Sequence, residues 1–262
     1  FTKYIILMLV VIPLSKSDKV ISDSFCDILN FFGPYLNHEV LFTYKKNDKE
    51  LVDSVKKKIC HLFKKSQDCI VSQNVKTGWP QGPNAYWKET IVYLKSINNK
   101  NPWYWMESDV TPVKEGWLDE LDYDYYHNNK PFLGCVSEAS YNYPFHLSGC
   151  AIYPPNISDY TNHWKWIHNS NAAFDIVCSS EIMKYQVFDS YKMLNYFKTE
   201  KYELHSGRFF SFEKRHIPFD IGRQKDIAKK EIRINKTLVV HGCKDGSLSN
   251  VIIYNYDLLK SI

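Results

Sequence analysis

The chain has 262 residues, 44% of them hydrophobic and 24% charged, which is enough to bury a substantial core in one large domain. Its 33 basic and 29 acidic residues are interspersed and leave a net charge of +4. This balance argues against a nucleic-acid-binding protein, whose basic residues gather in a patch or stripe. The seven cysteines are odd in number and include no C-x-x-C pair, so we expect reduced thiols rather than a disulfide framework or a zinc site.

The first apolar run lies at the start of the chain, in KYIILMLVVIPLSKSD (3–18). A lysine, then apolar residues, then polar ones give the outline of a signal peptide, but no A-x-A-like cleavage site follows. The run is also too short to span a bilayer. We therefore predict a buried first strand, no stable membrane span and a cytoplasmic location. The alternative is the secretory pathway, if the run is a signal.

Downstream, apolar runs alternate with helical patterns. A helix-like segment at 21–32 is followed by a strand-like segment at 39–45. The next helix carries apolar residues at helical spacing: Val52, Val55, Ile59, Leu62 and Phe63.

The same alternation continues toward the middle of the chain. A strand at 68–73 precedes a Gly/Pro-rich loop at 76–87, a helix at 88–97 and a strand at 102–107. This order predicts an α/β fold with a mostly parallel central sheet flanked by helices. Because no linker or repeat interrupts it, we predict a single domain over residues 1–262.

Two carboxylates, Glu107 and Asp109, follow a run of aromatic residues with one serine between them. Alternate side chains of a strand share a face, so both should point the same way at the strand end. Ligands of α/β sheets bind at this edge, where hard oxygen ligands suit Mg²⁺ or Mn²⁺. Without a cation the two charges repel, so Asp109→Asn should leave stability unchanged or raise it. A bare E-x-D is also ordinary polar sequence before a proline.

The segment ESDVTPVKEGWLDEL (107–121) resembles the D-x-D-type segment of GT-A glycosyltransferases. Three further segments follow in the order of that fold: KPFLGCVSEA paired with HLSGCAIYPPNI, then NAAFDIVCSSEI, then LVVHGCKDGSL. The resemblance runs from about Tyr4 to Leu248. It implies a Rossmann-like GT-A domain with a smaller acceptor-side sheet. The nucleotide-binding part would cover about 1–110 and the acceptor-binding part about 111–262.

The resemblance also implies an activity. The family uses a nucleotide-diphosphate sugar and a divalent cation, so we expect a glycosyltransferase that requires Mn²⁺ or Mg²⁺ and uses a hydroxyl of a glycan or other molecule as acceptor. UDP is favoured as the carrier because it is common in this family. We expect no nucleic-acid partner, and a monomer or weak dimer.

The resemblance assigns roles to four residues around the metal. Asp109 would bind the ion directly, whereas Glu107 departs from the family's aspartate and would reach the ion, a metal-bound water or the ribose. His241, after the late strand, would complete the metal site, and Lys244 would neutralise the diphosphate. Outside this context, a strand-end histidine and a turn lysine are more often surface residues.

Further candidates lie around the substrate. Asp175, at a predicted helix start, is an N-cap by default and a catalytic base if it reaches the acceptor hydroxyl; a base there would imply inversion. Asp18, after the first strand, and Asn84, in the Gly/Pro-rich loop, are candidates to recognise the base, ribose or sugar. The Gly/Pro-rich stretch fits a rigid turn that starts a helix equally well. Residues 148–151 would face the sugar and acceptor.

Two other functions stay open. A sugar nucleotidyltransferase on a related sheet would need a Gly-rich, basic loop after the first strand, but PLSKSDKV (13–20) has two lysines and no glycine. A non-catalytic carbohydrate-binding protein would use the aromatic residues, 16% of the chain. It would not require the carboxylate pair, His241 or Lys244.

Overall fold

The computed structural model describes residues 7–73, 76, 78–137, 144–185, 187–190, 192–195, 202–205, 208–211, 230–232 and 236–260. In chain order its strands and α-helices are β1 Leu9–Leu14, α1 Ser22–Phe32, β2 Tyr35–Lys45, α2 Lys49–Ile59, β3 Phe63–Val71, α3 Gln81–Ser96, β4 Trp103–Trp105, β5 Val110–Pro112, α4 Trp117–His127, β6 Phe132–Ser137, β7 His146–Tyr153, α5 Phe174–Val177, α6 Ser179–Ile182, β8 Val187–Asp189, β9 Met193–Asn195, β10 Tyr202–His205, β11 Arg208–Ser211, β12 Lys230–Ile232, β13 Val239–His241 and α7 Ser247–Lys260.

The central sheet has seven strands in the order β3-β2-β1-β4-β7-β6-β8. β1 pairs in parallel with β2 and β4, β2 with β3, and β6 with β8. β7 is antiparallel to both of its neighbours, β4 and β6. It is therefore the one strand of this sheet that runs against the other six. The predicted α/β fold with a mostly parallel sheet is confirmed.

β1 occupies the middle of this sheet, between β2 and β4. Five of its six residues are at most 2% exposed. A parallel strand covered on both faces favours such a continuous apolar run over an alternating one. The predicted buried first strand is confirmed for Leu9–Leu14, while residues 4–6 of the predicted run lie outside the described residues.

Several element boundaries differ from the prediction. β2 begins at Tyr35 rather than at residue 39, and β3 covers Phe63–Val71 rather than 68–73. α2 ends at Ile59, and Phe63, expected on that helix, begins β3 instead. α3 begins at Gln81 rather than at residue 88. Its first turn accommodates Pro83 because the first N–H groups of a helix have no partner within the helix.

Two three-stranded sheets accompany the central one among the described residues, in the orders β10-β11-β12 and β5-β13-β9. β13 is antiparallel to β5 and parallel to β9. β5 begins one residue after Asp109, so this sheet brings residues from the end of the chain to the carboxylate pair.

An aromatic cluster joins α3, the sheet and α5. Trp87 stacks on Phe174 with ring centroids 4.8 Å apart, and Trp103 stacks on Tyr153 at 4.7 Å. Stacked and edge-on rings of this kind add to the free energy gained from burial. The cluster fixes the start of α5 against the sheet, and with it Asp175.

No helix in the described part of the chain is long and apolar enough to cross a membrane.

The close approach of β6 to β7 generates the first prediction. Gly134 lies opposite Ala151, and a Cβ added to it would be 2.8 Å from the Ala151 Cβ and 2.9 Å from the Leu147 Cδ1. Gly134→Ala should therefore lower the free energy of unfolding by about 1–3 kcal/mol, as overpacking does. Urea denaturation followed by circular dichroism measures it.

Gly82→Ala is the matched control. Gly82 lies in the first turn of α3, and an added Cβ would meet nothing within 4 Å. This change should be neutral or stabilise the protein by up to about 1 kcal/mol. Equal effects of the two substitutions would contradict the packing argument.

Candidate functional site

Glu107 and Asp109 lie in a turn rather than in a strand. β4 ends at Trp105, where its pairing with β1 ends, and the Val110 N–H donates a hydrogen bond to the Glu107 carbonyl oxygen at 3.0 Å. Strand alternation therefore does not apply to Glu107 and Asp109. The prediction that they share a face because they alternate along a strand is wrong in its reason. The two carboxylates nonetheless converge, because both face His241.

His241 is the last residue of β13 and lies opposite Val110. Its Nε2 is 3.4 Å from Glu107 Oε2 and 3.3 Å from Asp109 Oδ1. The next two residues, Gly242 and Cys243, donate their backbone N–H groups to the Asp109 carbonyl oxygen. The structure thus brings together the three residues that the sequence proposed as metal ligands.

Lys244 reaches the same carboxylate. Its Nζ donates a hydrogen bond of 2.7 Å to Asp109 Oδ2. The Asp109 side chain is 3% exposed, whereas that of Lys244 is 71% exposed. Burial by itself raises the pKa of the Asp109 carboxyl, but His241 and Lys244 more than offset it and hold the pKa well below its ordinary value. Asp109 is therefore a buried carboxylate stabilised by two basic groups.

The orientation of His241 is set by Asn195 on the neighbouring strand β9. The His241 Nδ1 lies 2.8 Å from the Asn195 Oδ1, and the Asn195 Nδ2 donates to the Ser148 Oγ at 2.9 Å. An amide oxygen only accepts, so Nδ1 carries the hydrogen of this bond. In the neutral imidazole, Nε2 then holds the lone pair and faces the carboxylates. Sequence reasoning missed Asn195 because only the register of β9 and β13 brings it to His241.

Cys150 on β7 also reaches this cluster. One ligand atom from each of Glu107, Cys150 and His241 lies within 4.8 Å of the other two. The cysteine is 4% exposed, and burial raises the pKa of its thiol to about 11, even though nearby His241 acts to lower it. Cys150 belongs to the segment expected to face the sugar, and no feature of the sequence assigned it a role toward a metal.

Glu107 is held by Trp105. The Trp105 Nε1 donates to the Glu107 Oε1 at 3.2 Å, which leaves Oε2 toward His241. The two residues are two positions apart, but the partnership could not be read from the sequence because the strand ends between them.

Asp175 is the second residue of α5, and the N-cap position is taken by Ala173. The default N-cap role is therefore wrong. The Asp175 Oδ2 accepts a hydrogen bond from the Gly149 backbone N–H at 3.1 Å, and its Oδ1 accepts from the Ile176 N–H at 2.9 Å. Burial raises the pKa of the Asp175 carboxyl above its ordinary value, although His146 acts in the opposite direction.

Position 149, whose backbone N–H bonds to Asp175, requires glycine because a larger residue would not fit. A Cβ on Gly149 would lie 2.9 Å from the Phe174 Cζ, closer than nonbonded carbons approach. Glycine at 149 therefore lets α5 pack directly against the backbone of β7.

Asp18 is hydrogen-bonded to the turn that contains Glu107 and Asp109, here called the carboxylate turn. It lies in a 3-10 helix, Lys16–Val20, and its Oδ2 accepts hydrogen bonds from the Ser15 N–H at 2.7 Å and the Ser15 Oγ at 2.8 Å. Its Oδ1 accepts from the Ser108 Oγ at 2.5 Å. The middle residue of the E-S-D sequence thus connects Asp18 to Glu107 and Asp109.

Asn84 is placed differently from the other candidates. It lies in the first turn of α3, not in an open loop, and is fully buried. Its Nδ2 donates to the carbonyl oxygens of Ile167 and Ala172 at 3.0 and 2.9 Å. The stretch starts a helix, as its alternative interpretation predicts, and the two bonds show that Asn84 holds the segment before α5.

Solved structures resemble this chain in fold at low sequence identity. No family model matches the chain, and no curated protein does. Among solved structures, the apo structure of the WbbM bifunctional glycosyltransferase superposes with a TM-score of 0.58 at 8% identity, covering 97% of this chain and 50% of that one. The chain has a GT-A-like fold. It spans half the length of the WbbM structure.

Two further matches are weaker. An active-site mutant of LgtC gives a TM-score of 0.47 at 10% identity, over 90% of this chain and 87% of that one. The 4-diphosphocytidyl-2C-methyl-D-erythritol synthase from Anaerococcus prevotii DSM 20548 gives 0.40 at 9% identity, over 70% and 88%.

The pairing of Asp109 reverses the expectation for its substitution. Because His241 and Lys244 face the carboxylate, Asp109→Asn should destabilise the metal-free protein, by about 1.5–3 kcal/mol, the range for hydrogen bonds to charged groups. Urea denaturation in EDTA measures it.

Asp53→Asn is the control: Asp53 is half exposed and pairs with Lys49 one helical turn away, so its loss should cost about 0.5 kcal/mol or less. A neutral or stabilising Asp109→Asn would contradict the pairing.

The destabilisation caused by Asp109→Asn should depend on pH. The depressed pKa of Asp109 makes its contribution full above about pH 4 and lost as the pH falls through the folded-state value. The pKa of His241 is raised well above its ordinary value, since Cys150 and Asp109 more than offset burial. Its contribution is full below about pH 6.5 and declines as the pH rises toward the folded-state value. The cost of Asp109→Asn should therefore be larger at pH 6 than at pH 9.

Proposed function

We propose that the protein is a metal-dependent glycosyltransferase that moves a sugar from a nucleotide-diphosphate donor, with UDP favoured, to a hydroxyl of a glycan or another acceptor. The observation that carries this proposal is the convergence of two carboxylates, an imidazole and a lysine beyond β4 in a GT-A-like fold. Lys244 and Asp109 are 135 positions apart in the sequence, so the fold alone assembles the cluster.

The side chains fit a divalent cation. The Asp109 Oδ1 is buried and accepts no well-directed hydrogen bond from the described residues, yet it lies 3.3 Å from the His241 Nε2. Asp109 and His241 would bind the ion directly, and Glu107 directly or through water. Carboxylate oxygens and imidazole nitrogen suit Mn²⁺, and Mg²⁺ through the carboxylates. When bound, the ion neutralises charge on the departing diphosphate.

Lys244 would hold the diphosphate. Its side chain is largely exposed and reaches the site through one hydrogen bond to Asp109. A compact ammonium group next to a buried carboxylate is placed to donate further hydrogen bonds to phosphate oxygens. Asp18, fixed to Ser108 beside the same turn, would accept hydrogen bonds from the ribose or base.

Asp175 would act as the general base. A half-buried carboxylate with a raised pKa accepts a proton more readily near neutral pH. In this proposal it takes the proton of the acceptor hydroxyl as that oxygen bonds to the anomeric carbon and the nucleotide diphosphate leaves. A single displacement of this kind inverts the configuration.

The nucleotidyltransferase alternative has less support. The segment after β1 has no glycine and forms a 3-10 helix in which Asp18 accepts hydrogen bonds from Ser15. A cradle for a triphosphate would need free backbone N–H groups there.

Ligand binding gives the direct test. UDP and GDP should raise the thermal midpoint in the presence of Mn²⁺ and much less without it, because a ligand that binds only the native state stabilises it. Lys244→Ala should weaken nucleotide-diphosphate binding much more than nucleoside binding, since the lost interaction is with phosphate charge. The absence of any Mn²⁺-dependent shift with either nucleotide, or equal losses for nucleotide and nucleoside, would count against the proposal.

The role of Asp175 has its own test. Asp175→Asn should lower turnover by about 10²-fold or more while leaving the affinity for the donor unchanged. Turnover is normalised to folded protein, because the carboxylate also accepts the Gly149 N–H. A variant that loses stability but keeps its turnover per folded molecule would show that Asp175 only holds α5 to β7.

A further inference from the structure

The carboxylate cluster contains a sulfur ligand that a magnesium or manganese enzyme does not need. Cys150 Sγ, His241 nitrogen and a Glu107 oxygen lie within 4.8 Å of one another. Thiolate, imidazole and carboxylate are the ligands that Zn²⁺ takes in proteins. Mg²⁺ and Mn²⁺ prefer oxygen and gain little from sulfur. The cluster therefore offers two overlapping ligand sets, and His241 and Glu107 belong to both.

We propose that Glu107, Cys150 and His241 form a site for Zn²⁺ and similar thiophilic cations, distinct from the oxygen-rich site that includes Asp109. Tetrahedral zinc at its usual bond lengths sets neighbouring ligand atoms about 3.5 Å apart. The Glu107 Oε2 and the His241 Nε2 already lie 3.4 Å apart, so only the Cys150 Sγ needs to approach, by at most about 1.3 Å. A water or a substrate oxygen occupies the fourth position. On binding, the Cys150 thiol and the His241 imidazolium each release a proton to solvent as the Zn–S and Zn–N bonds form.

Two features of the fold favour this geometry. Cys150 lies inside β7, two residues before Ile152, which pairs with Tyr104 of β4 and Leu133 of β6, so the strand that carries it is held just beyond it. His241 is oriented through Nδ1 by Asn195, which leaves Nε2 toward the carboxylates. A histidine ligand whose second nitrogen is bonded in this way is characteristic of zinc sites.

A zinc site here has a consequence for activity, and that consequence rests on the proposed function. Divalent zinc binds nitrogen and sulfur ligands more tightly than manganese does. Occupation of the sulfur-containing set removes His241 and Glu107 from the catalytic ion. Zn²⁺ should therefore inhibit a reaction that Mn²⁺ supports.

Co²⁺ provides a probe that does not depend on activity. Cobalt bound to a thiolate gives an intense near-ultraviolet charge-transfer band, which carboxylate and imidazole ligands do not. Titration of the nucleotide-free protein with Co²⁺ should produce this band in the wild type. It should be lost in Cys150→Ser and in Cys150→Ala. The matched control is Cys69→Ser, because Cys69 is an equally buried thiol on the edge strand β3, and this variant should keep the band.

Zinc affinity gives the second measurement. Competition with a chromophoric chelator should show Zn²⁺ binding weakened by at least about tenfold in Cys150→Ser and unchanged in Cys69→Ser. Wild-type protein without a thiolate band, or a band and a zinc affinity that persist in Cys150→Ser, would overturn the proposal. The wild-type spectrum decides even if a variant fails to fold.

The outcomes also separate this site from the proposed function. A thiolate band in a protein that shows no Mn²⁺-dependent binding of UDP or GDP would retain the zinc site and reject the glycosyltransferase. Mn²⁺-dependent nucleotide binding without the band would do the opposite. If both hold, Zn²⁺ should inhibit the wild type and Cys69→Ser at concentrations about tenfold or more below those needed for Cys150→Ser.

Discussion

A carboxylate buried in the turn that follows an apolar strand needs positive charge beside it, and Asp109 obtains that charge from the far end of the chain. The antiparallel pairing of β13 with β5 places His241 opposite Val110 and lets the following turn donate two N–H groups to the Asp109 carbonyl. Lys244 then reaches the carboxylate itself. Without this pairing Asp109 would be an unpaired buried charge, which costs several kcal/mol. The strand pairing that closes the small sheet against the carboxylate turn therefore also assembles the candidate site.

Much of the fold was predictable because its signals are local. The continuous apolar run of β1 and the helical spacing of α1 and α2 each depend on a few neighbouring residues. The start of α3 was misplaced because a glycine and a proline resemble loop residues. Both are compatible with a first helical turn, where backbone N–H groups have no intrahelical partner.

The site was less predictable, for a physical reason. Glu107 and Asp109 stood out by their position after an aromatic run, whereas His241, Lys244 and Asp175 entered only through the order of segments in a known fold. Asn195 carried no signal, and Cys150 was expected only to face the sugar and acceptor, because their proximity to His241 depends on the register of β9 and on the neighbours of β7 in the sheet. The convergence of Glu107 and Asp109 was predicted for a wrong reason, since the strand ends at Trp105 and the carboxylates meet across a turn.

The reversed direction of β7 has an evolutionary consequence. In an all-parallel sheet, the residues that border a ligand come from loops, which change length with little cost. Here one border of the site, from Ser148 to Cys150, lies within β7, in the stretch between Leu147 and Ala151 where the register with β6 shifts. Such an irregularity absorbs an extra residue locally, whereas an inserted or deleted residue in the regularly paired part from Ala151 to Tyr153 would turn every following side chain to the opposite face. Related proteins can therefore alter this border by replacing side chains or by changing the size of the bulge, and the rest of β7 keeps its register.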